Sequence, residues 1–217
     1  MNMRRQSTLQ KALSVWGAIL LIWSFYRLNL QLPLWFDELI AKPLVFILPI
    51  YLFTTKYEHL NFFQAVAFDV KKIKKEFFIG LGIGLLFIIT ILFTNVIKKG
   101  LLFPMLPISL FLTEAFFALT TGISEEVLSR GFILKRLYED SKNIFTASFF
   151  SSFLFFFLHV PMLFTNPKLT GPLILLFMTT DFLLSMICSV LFLSRKQVVA
   201  PIVVHACYNF ALFLLIA

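Results

Sequence analysis

The chain has 217 residues, 59% of them hydrophobic and 17% aromatic, with only 14% charged and a mean hydropathy of +0.91. A water-soluble domain of this length carries about a quarter charged residues, so that architecture is excluded. The net charge of +8 would suit nucleic acid, but its distribution follows membrane topology and leaves no nucleic-acid role.

Seven apolar stretches meet or approach the ~20 residues needed to cross ~30 Å of hydrocarbon: 12–30, 35–55, 77–97, 105–125, 144–160, 172–193 and 198–217. The chain is therefore expected to be one all-α, polytopic transmembrane bundle over 1–217, with about seven spans and a range of six to eight. The first stretch follows basic residues, has no small-x-small cleavage site and reads as a retained anchor. The second is broken by Pro43 and Pro49. With the N-terminus in the cytoplasm, the inside segments hold 14 of the Lys and Arg residues and the outside segments hold 5, with Lys42 counted outside. That bias predicts a multi-pass plasma-membrane protein with a cytoplasmic N-terminus.

The connection at 56–76 is the longest polar one. It is expected either as a solvated loop, with His59 in water, or as a short interfacial helix ending in Asp69, Lys71, Lys72, Lys74 and Lys75. Cys188 and Cys207 lie inside predicted spans and read as small buried apolar residues.

The fourth stretch ends in ALTTGISEEVLSRGF, where Glu125 and Glu126 sit in otherwise apolar sequence. A charge inside a bilayer costs at least ~2.5–3.5 kcal/mol and marks a functional site with a partner. Counted from the turn at Ser141, Glu125 lies 16 residues back and His159 lies 18 residues on. At ~1.5 Å per residue both reach ~24–27 Å, the same depth on antiparallel neighbours. His205 and Asn209 share a helix face at i, i+4, about 13–14 Å beyond the Arg195–Lys196 connection. Glu126 and Arg130, also i, i+4, form a desolvated ion pair, and Gly122 leaves that face open for another helix.

A carboxylate and an imidazole one water apart activate that water for attack on a peptide carbonyl, and a second imidazole with an amide stabilises the oxyanion. Asp181 is an intramembrane acid outside any motif, and Glu114 reads as an interfacial residue.

EEVLSR at 125–130 fits an EExxxR pattern, FFFLH at 155–159 fits FxxxH, and HACYN at 205–209 fits HxxxN. In order and spacing these resemble the CPBP family, which comprises CAAX prenyl proteases of the Ras-converting type and bacterial bacteriocin-processing and Abi proteins. The resemblance covers about 110–217 as the catalytic core. It implies that Glu125 and His159 activate water, that His205 and Asn209 form the oxyanion site, and that Glu126, Arg130 and Phe155 support them. It also implies an all-helical bundle whose cavity opens to the cytosol. A glycine-rich stretch that some relatives carry in the sixth helix is replaced here by Cys188–Leu193.

The expected function is intramembrane endopeptidase action on a membrane-associated or lipidated peptide. A bacteriocin-immunity protein without required catalysis and a proton-coupled transporter are the alternatives. Glu125, His159 and His205 would also satisfy a His₂Glu zinc. No HExxH is present, and the resemblance favours a metal-free, glutamate-type mechanism with no cofactor.

Overall fold

The computed structural model describes residues 7–30, 32–100, 107–165 and 171–216, and no strand occurs among them. Arg4, Arg5 and Lys168, which contributed to the charge count, lie outside them. Each of the seven apolar stretches is helical: α1 (Thr8–Asn29), α2 (34–57), α3 (Ile73–Lys99), α4 (108–141), α5 (Ile144–Thr165), α6 (Pro172–Arg195) and α7 (Val199–Ile216). The molecule is a helical membrane bundle; α1, α3, α5 and α6 are each long and apolar enough to cross a bilayer, and α7 is a shorter apolar helix.

Two of the helices are not regular. Helix α2 runs unbroken through both prolines because it widens into π-type turns at Asp37–Ala41, Pro43–Ile47 and Phe53–Tyr57. The backbone N–H of Lys42 reaches Asp37 O and that of Leu48 reaches Pro43 O, bonds that span five residues instead of four. A proline has no N–H and crowds the preceding turn, and a widened helix absorbs that loss without ending. Helix α4 carries the glutamates at the end of Ile108–Glu126, then widens over Val127–Leu134 before closing as Lys135–Ser141. Every residue from Val127 to Leu134 is buried.

Helix α7 is central, and glycines let its neighbours reach its backbone. A Cβ on Gly80 would lie 2.6 Å from Ala200 O, and one on Gly122 would lie 2.9 Å from Ile202 O. Small residues at such crossings let helices approach closely where lipid supplies no hydrophobic drive. Buried Ser148, Ser151 and Ser152 on α5 and Ser185 and Ser189 on α6 add to this close packing.

Much of the connection at 58–72, His59 included, is exposed as the loop reading expected, but the segment also packs against the bundle. It folds under the bundle as a floor. Asn61 caps the short helix Phe62–Ala65, Ala67 O accepts the Val198 N–H (3.1 Å), and Asp69 O accepts from Gln197 Nε2 (2.9 Å). Lys135 Nζ donates to Gln64 O (3.1 Å) and Ala65 O (3.0 Å), and Arg136 pairs with Glu58. Ala65, Val66, Leu134 and Val198 are buried there. Because this floor covers the α6–α7 connection, α7 starts inside the protein, with Gln197 and Val198 fully enclosed.

Candidate active site

Glu125 projects from α4 just before the helix widens. It is 6% exposed, and its two oxygens have different surroundings. Oε1 accepts from Lys42 Nζ at 2.8 Å. Oε2 lies 3.6 Å from His159 Nε2 on α5 and 3.7 Å from His205 Nε2 on α7, and it is buried without a hydrogen-bond partner. The side chains expected to converge from α4, α5 and α7 are therefore together.

Each imidazole is held from behind. His205 Nδ1 donates to Glu126 Oε1 at 2.8 Å, and the same oxygen accepts from Arg130 Nη1 at 2.8 Å. Arg130 and Glu126 have no solvent exposure, and Arg130 Nη2 donates to Ser185 O at 2.9 Å. His159 Nδ1 lies 3.2 Å from Phe155 O and 3.5 Å from Asp181 Oδ2. Phe155 is the wedge between them: its ring centre lies 4.8 Å from that of His159, tilted, and 5.7 Å from that of His205, edge-on, with the Arg130 guanidinium 4.6 Å from its centre. Removing this many polar groups from water is tolerable only when each is paired, and most of them are.

A cavity of about 240 Å³ adjoins Glu125, His159, His205 and Asn209. That is room for several water molecules, at ~30 Å³ each. It continues past Asp181, Phe177, Met162 and Leu212 to Arg27, Leu34 and Asp37. These residues sit toward the C-terminal ends of α1, α5 and α7 and the N-terminal ends of α2 and α6. The mouth is thus at the end of the bundle opposite the floor. The N-terminus of α1 lies at the other end, where Lys11 contacts Tyr57 at the close of α2.

The sequence argument missed Lys42 and Glu38. Lys42 was assigned to an outside segment; it is instead 6% exposed and bridges Glu38 Oε1 (2.7 Å) and Glu125 Oε1 (2.8 Å). Glu38 Oε2 in turn accepts from Thr121 Oγ1 at 2.7 Å. The signal was present in DELIAKP, where three charges interrupt an apolar stretch at helical spacing. Asp181, singled out only as an unassigned acid, stands directly behind His159.

Lys42 already brings a positive charge to 2.8 Å from Glu125, where it would repel a divalent cation. No group of three His, Cys, Asp or Glu side chains among the described residues is arranged to hold a metal ion.

The helical membrane bundle thus holds a carboxylate facing two imidazoles beside a buried cavity. Residues 107–211 match the family model described as Type II CAAX prenyl endopeptidase Rce1-like. Over that segment, just under half its length, the chain is similar to CAAX proteases of the CPBP family, and the activity class this similarity supports is intramembrane endopeptidase. No curated protein and no solved structure matches the chain.

Proposed function

We propose that the protein hydrolyses a peptide bond of a membrane-associated or lipidated peptide with water activated by Glu125 and His159. The observation that carries this is Glu125 Oε2, unpaired and buried between two imidazole Nε2 atoms beside a cavity. A water there gives one proton to Oε2 as its oxygen bonds to the carbonyl carbon, and the carbonyl π pair moves onto oxygen. The oxyanion is stabilised by His205, which as an imidazolium donates from Nε2 while Nδ1 stays on Glu126, and by the Asn209 amide. Collapse re-forms the carbonyl and breaks the C–N bond, and the proton held by Glu125 passes to the departing amine. Phe155 O holds His159 at Nδ1, and Asp181, 3.5 Å from the same nitrogen, supplies a nearby negative charge. No metal takes part in this scheme.

The open end lies away from the basic connections. Lys42 and Arg130 are buried in the core, and leaving both out does not change the sign of the charge bias. Under the positive-inside rule the mouth then faces the extracytoplasmic side, so the substrate is a peptide presented from that leaflet. A transporter needs a polar route to the opposite end, and beneath the site the packed floor of Val66, Leu134 and Val198 stands in its way.

Comparing the membrane peptidomes of cells carrying wild-type and Glu125→Gln protein tests the reading. The variant is expected to fold normally and to lose one set of cleavages by at least about 10³-fold, the range for removing an essential base. Cleavage by the purified protein should survive strong chelators. Loss to chelator with rescue by zinc would replace the metal-free scheme, and an unchanged peptidome with bacteriocin immunity kept by Glu125→Gln would leave the immunity alternative standing.

A further inference from the structure

We infer that Lys42, outside the matched 107–211 segment, is a positioning residue that sets the catalytic geometry of Glu125; the inference rests on the endopeptidase reading above. A lysine inside a bilayer needs an anionic partner, and Glu38, one turn away on the same helix, already supplies one at 2.7 Å. Neutralisation alone therefore gives Lys42 no reason to cross to α4. It crosses nonetheless, reaching Glu125 Oε1 at 2.8 Å.

Glu38 is anchored from the other side. Its Oε2 accepts from Thr121 Oγ1, and Thr121 is one turn before Glu125 on α4. The ammonium is thus held between two carboxylates, both on fixed backbones, with its side chain 7% exposed. With Oε1 committed to Lys42, the carboxylate plane cannot turn, and Oε2 is left facing the two imidazoles with no bond of its own. Without Lys42 the Glu125 side chain is free to rotate and take up a direct bond to an imidazole, closing the space a water needs. A pre-organised base whose supporting group fixes its rotamer is worth far more than the same base left to adapt.

The widened turns of α2 make this possible. A regular helix through Pro43 would break or bend away, whereas the π-type turns on both sides of Lys42 keep α2 against α4 with the lysine facing inward.

The test compares Lys42→Met/Glu38→Gln, neutral and near-isosteric, with Lys42→Arg and with wild type. The probe is a quenched fluorescent peptide spanning a bond that wild type cuts and Glu125→Gln does not. The neutral pair is expected to keep its detergent melting temperature and its KM within about threefold while kcat falls about 100-fold or more; Lys42→Arg should retain at least about a tenth of wild-type kcat. A neutral pair with near-wild-type kcat, or a Lys42→Arg protein as inactive as the neutral pair, would overturn the assignment.

A second readout is independent of turnover. The infrared carboxylate band assigned to Glu125, from wild type minus Glu125→Gln, should change in the neutral pair and persist in Lys42→Arg. An unchanged band in the neutral pair sinks the role of Lys42 whatever the activity. Absence of any Glu125-dependent cleavage in wild type, with the band behaving as expected, would instead remove the endopeptidase reading and leave the positioning contact in place.

Discussion

The two ends of the bundle handle charge in opposite ways. At the floor, ionic groups have dedicated partners: Glu76, 1% exposed, receives two bonds from Arg195 (2.6 and 3.1 Å), and Glu58 pairs with Arg136. Backbone carbonyls of 64–69 are taken up by Lys135, Gln197 and Val198. At the mouth end, Glu125 and Asp181 each keep a buried oxygen without a hydrogen bond, and the nearest imidazoles stand 3.5–3.7 Å away. A folding chain gains nothing from leaving such oxygens bare, because an unmade buried bond costs about 1–3 kcal/mol or more for a charged group. Among the described residues, Glu126 Oε2, Arg130 Nε and five serine hydroxyls are also buried without a hydrogen bond; what sets Glu125 and Asp181 apart is that they line the cavity, where contacts withheld leave room for a reaction.

The contrast fails if the two ends do not face different compartments, so the largest expected effect is all-or-none. In a chain with Cys188→Ala and Cys207→Ala, a membrane-impermeant maleimide should label Met162→Cys on intact cells and leave Lys142→Cys untouched until permeabilisation. The reverse pattern would put the mouth in the cytoplasm and the basic floor outside, against the charge bias.

Between the two ends lies Glu126, adjacent in sequence to Glu125 yet fully enclosed by Arg130 and His205. Replacing Arg130 by Met leaves that carboxylate without its permanent cation and should cost about 3–5 kcal/mol of stability, the usual penalty for breaking a buried pair. Unfolding in mixed detergent measures it. A loss under about 1 kcal/mol would move Glu126 from the structural group to the uncommitted one and blur the boundary.

Much of this boundary was visible in the residues themselves. Seven apolar stretches predicted the helices, and equal counts from the Ser141 turn put Glu125 and His159 level because both helices leave one exposed turn without offset. His205, counted at a shorter depth, meets Glu125 nonetheless, with Nε2 3.7 Å from Oε2, and nothing local in RKQVV shows that Gln197 and Val198 at the start of α7 bond to segment 64–69. Lys42 was missed for a related reason. A lysine before proline reads as the end of a span, and only the partner on α4, 83 residues away, turns it inward. The direction of the mouth followed a family expectation, and the maleimide labelling above tests it.

The smallest effect probes whether the floor is truly packed. Gly131 lies in the widened part of α4, and a Cβ there would sit 2.9 Å from both Val66 Cβ and Val66 O and 3.2 Å from Val66 Cα. Neither backbone atom can move without disturbing Ala67 O, which holds the start of α7. Gly131→Ala should therefore cost about 1–3 kcal/mol, as overpacking does in a filled core. Gly82 on α3 has nothing within 4 Å of the same added atom. Gly82→Ala should be neutral or stabilising by up to about 1 kcal/mol, because alanine is the better helix former. If both variants unfold like wild type, segment 58–72 is not held against α4, and the closed end loses the feature that distinguishes it from the open one. If Gly131→Ala loosens the floor yet leaves peptide cleavage at wild-type rate, the site owes its geometry to α2, α4, α5 and α7 above it and not to the seal beneath.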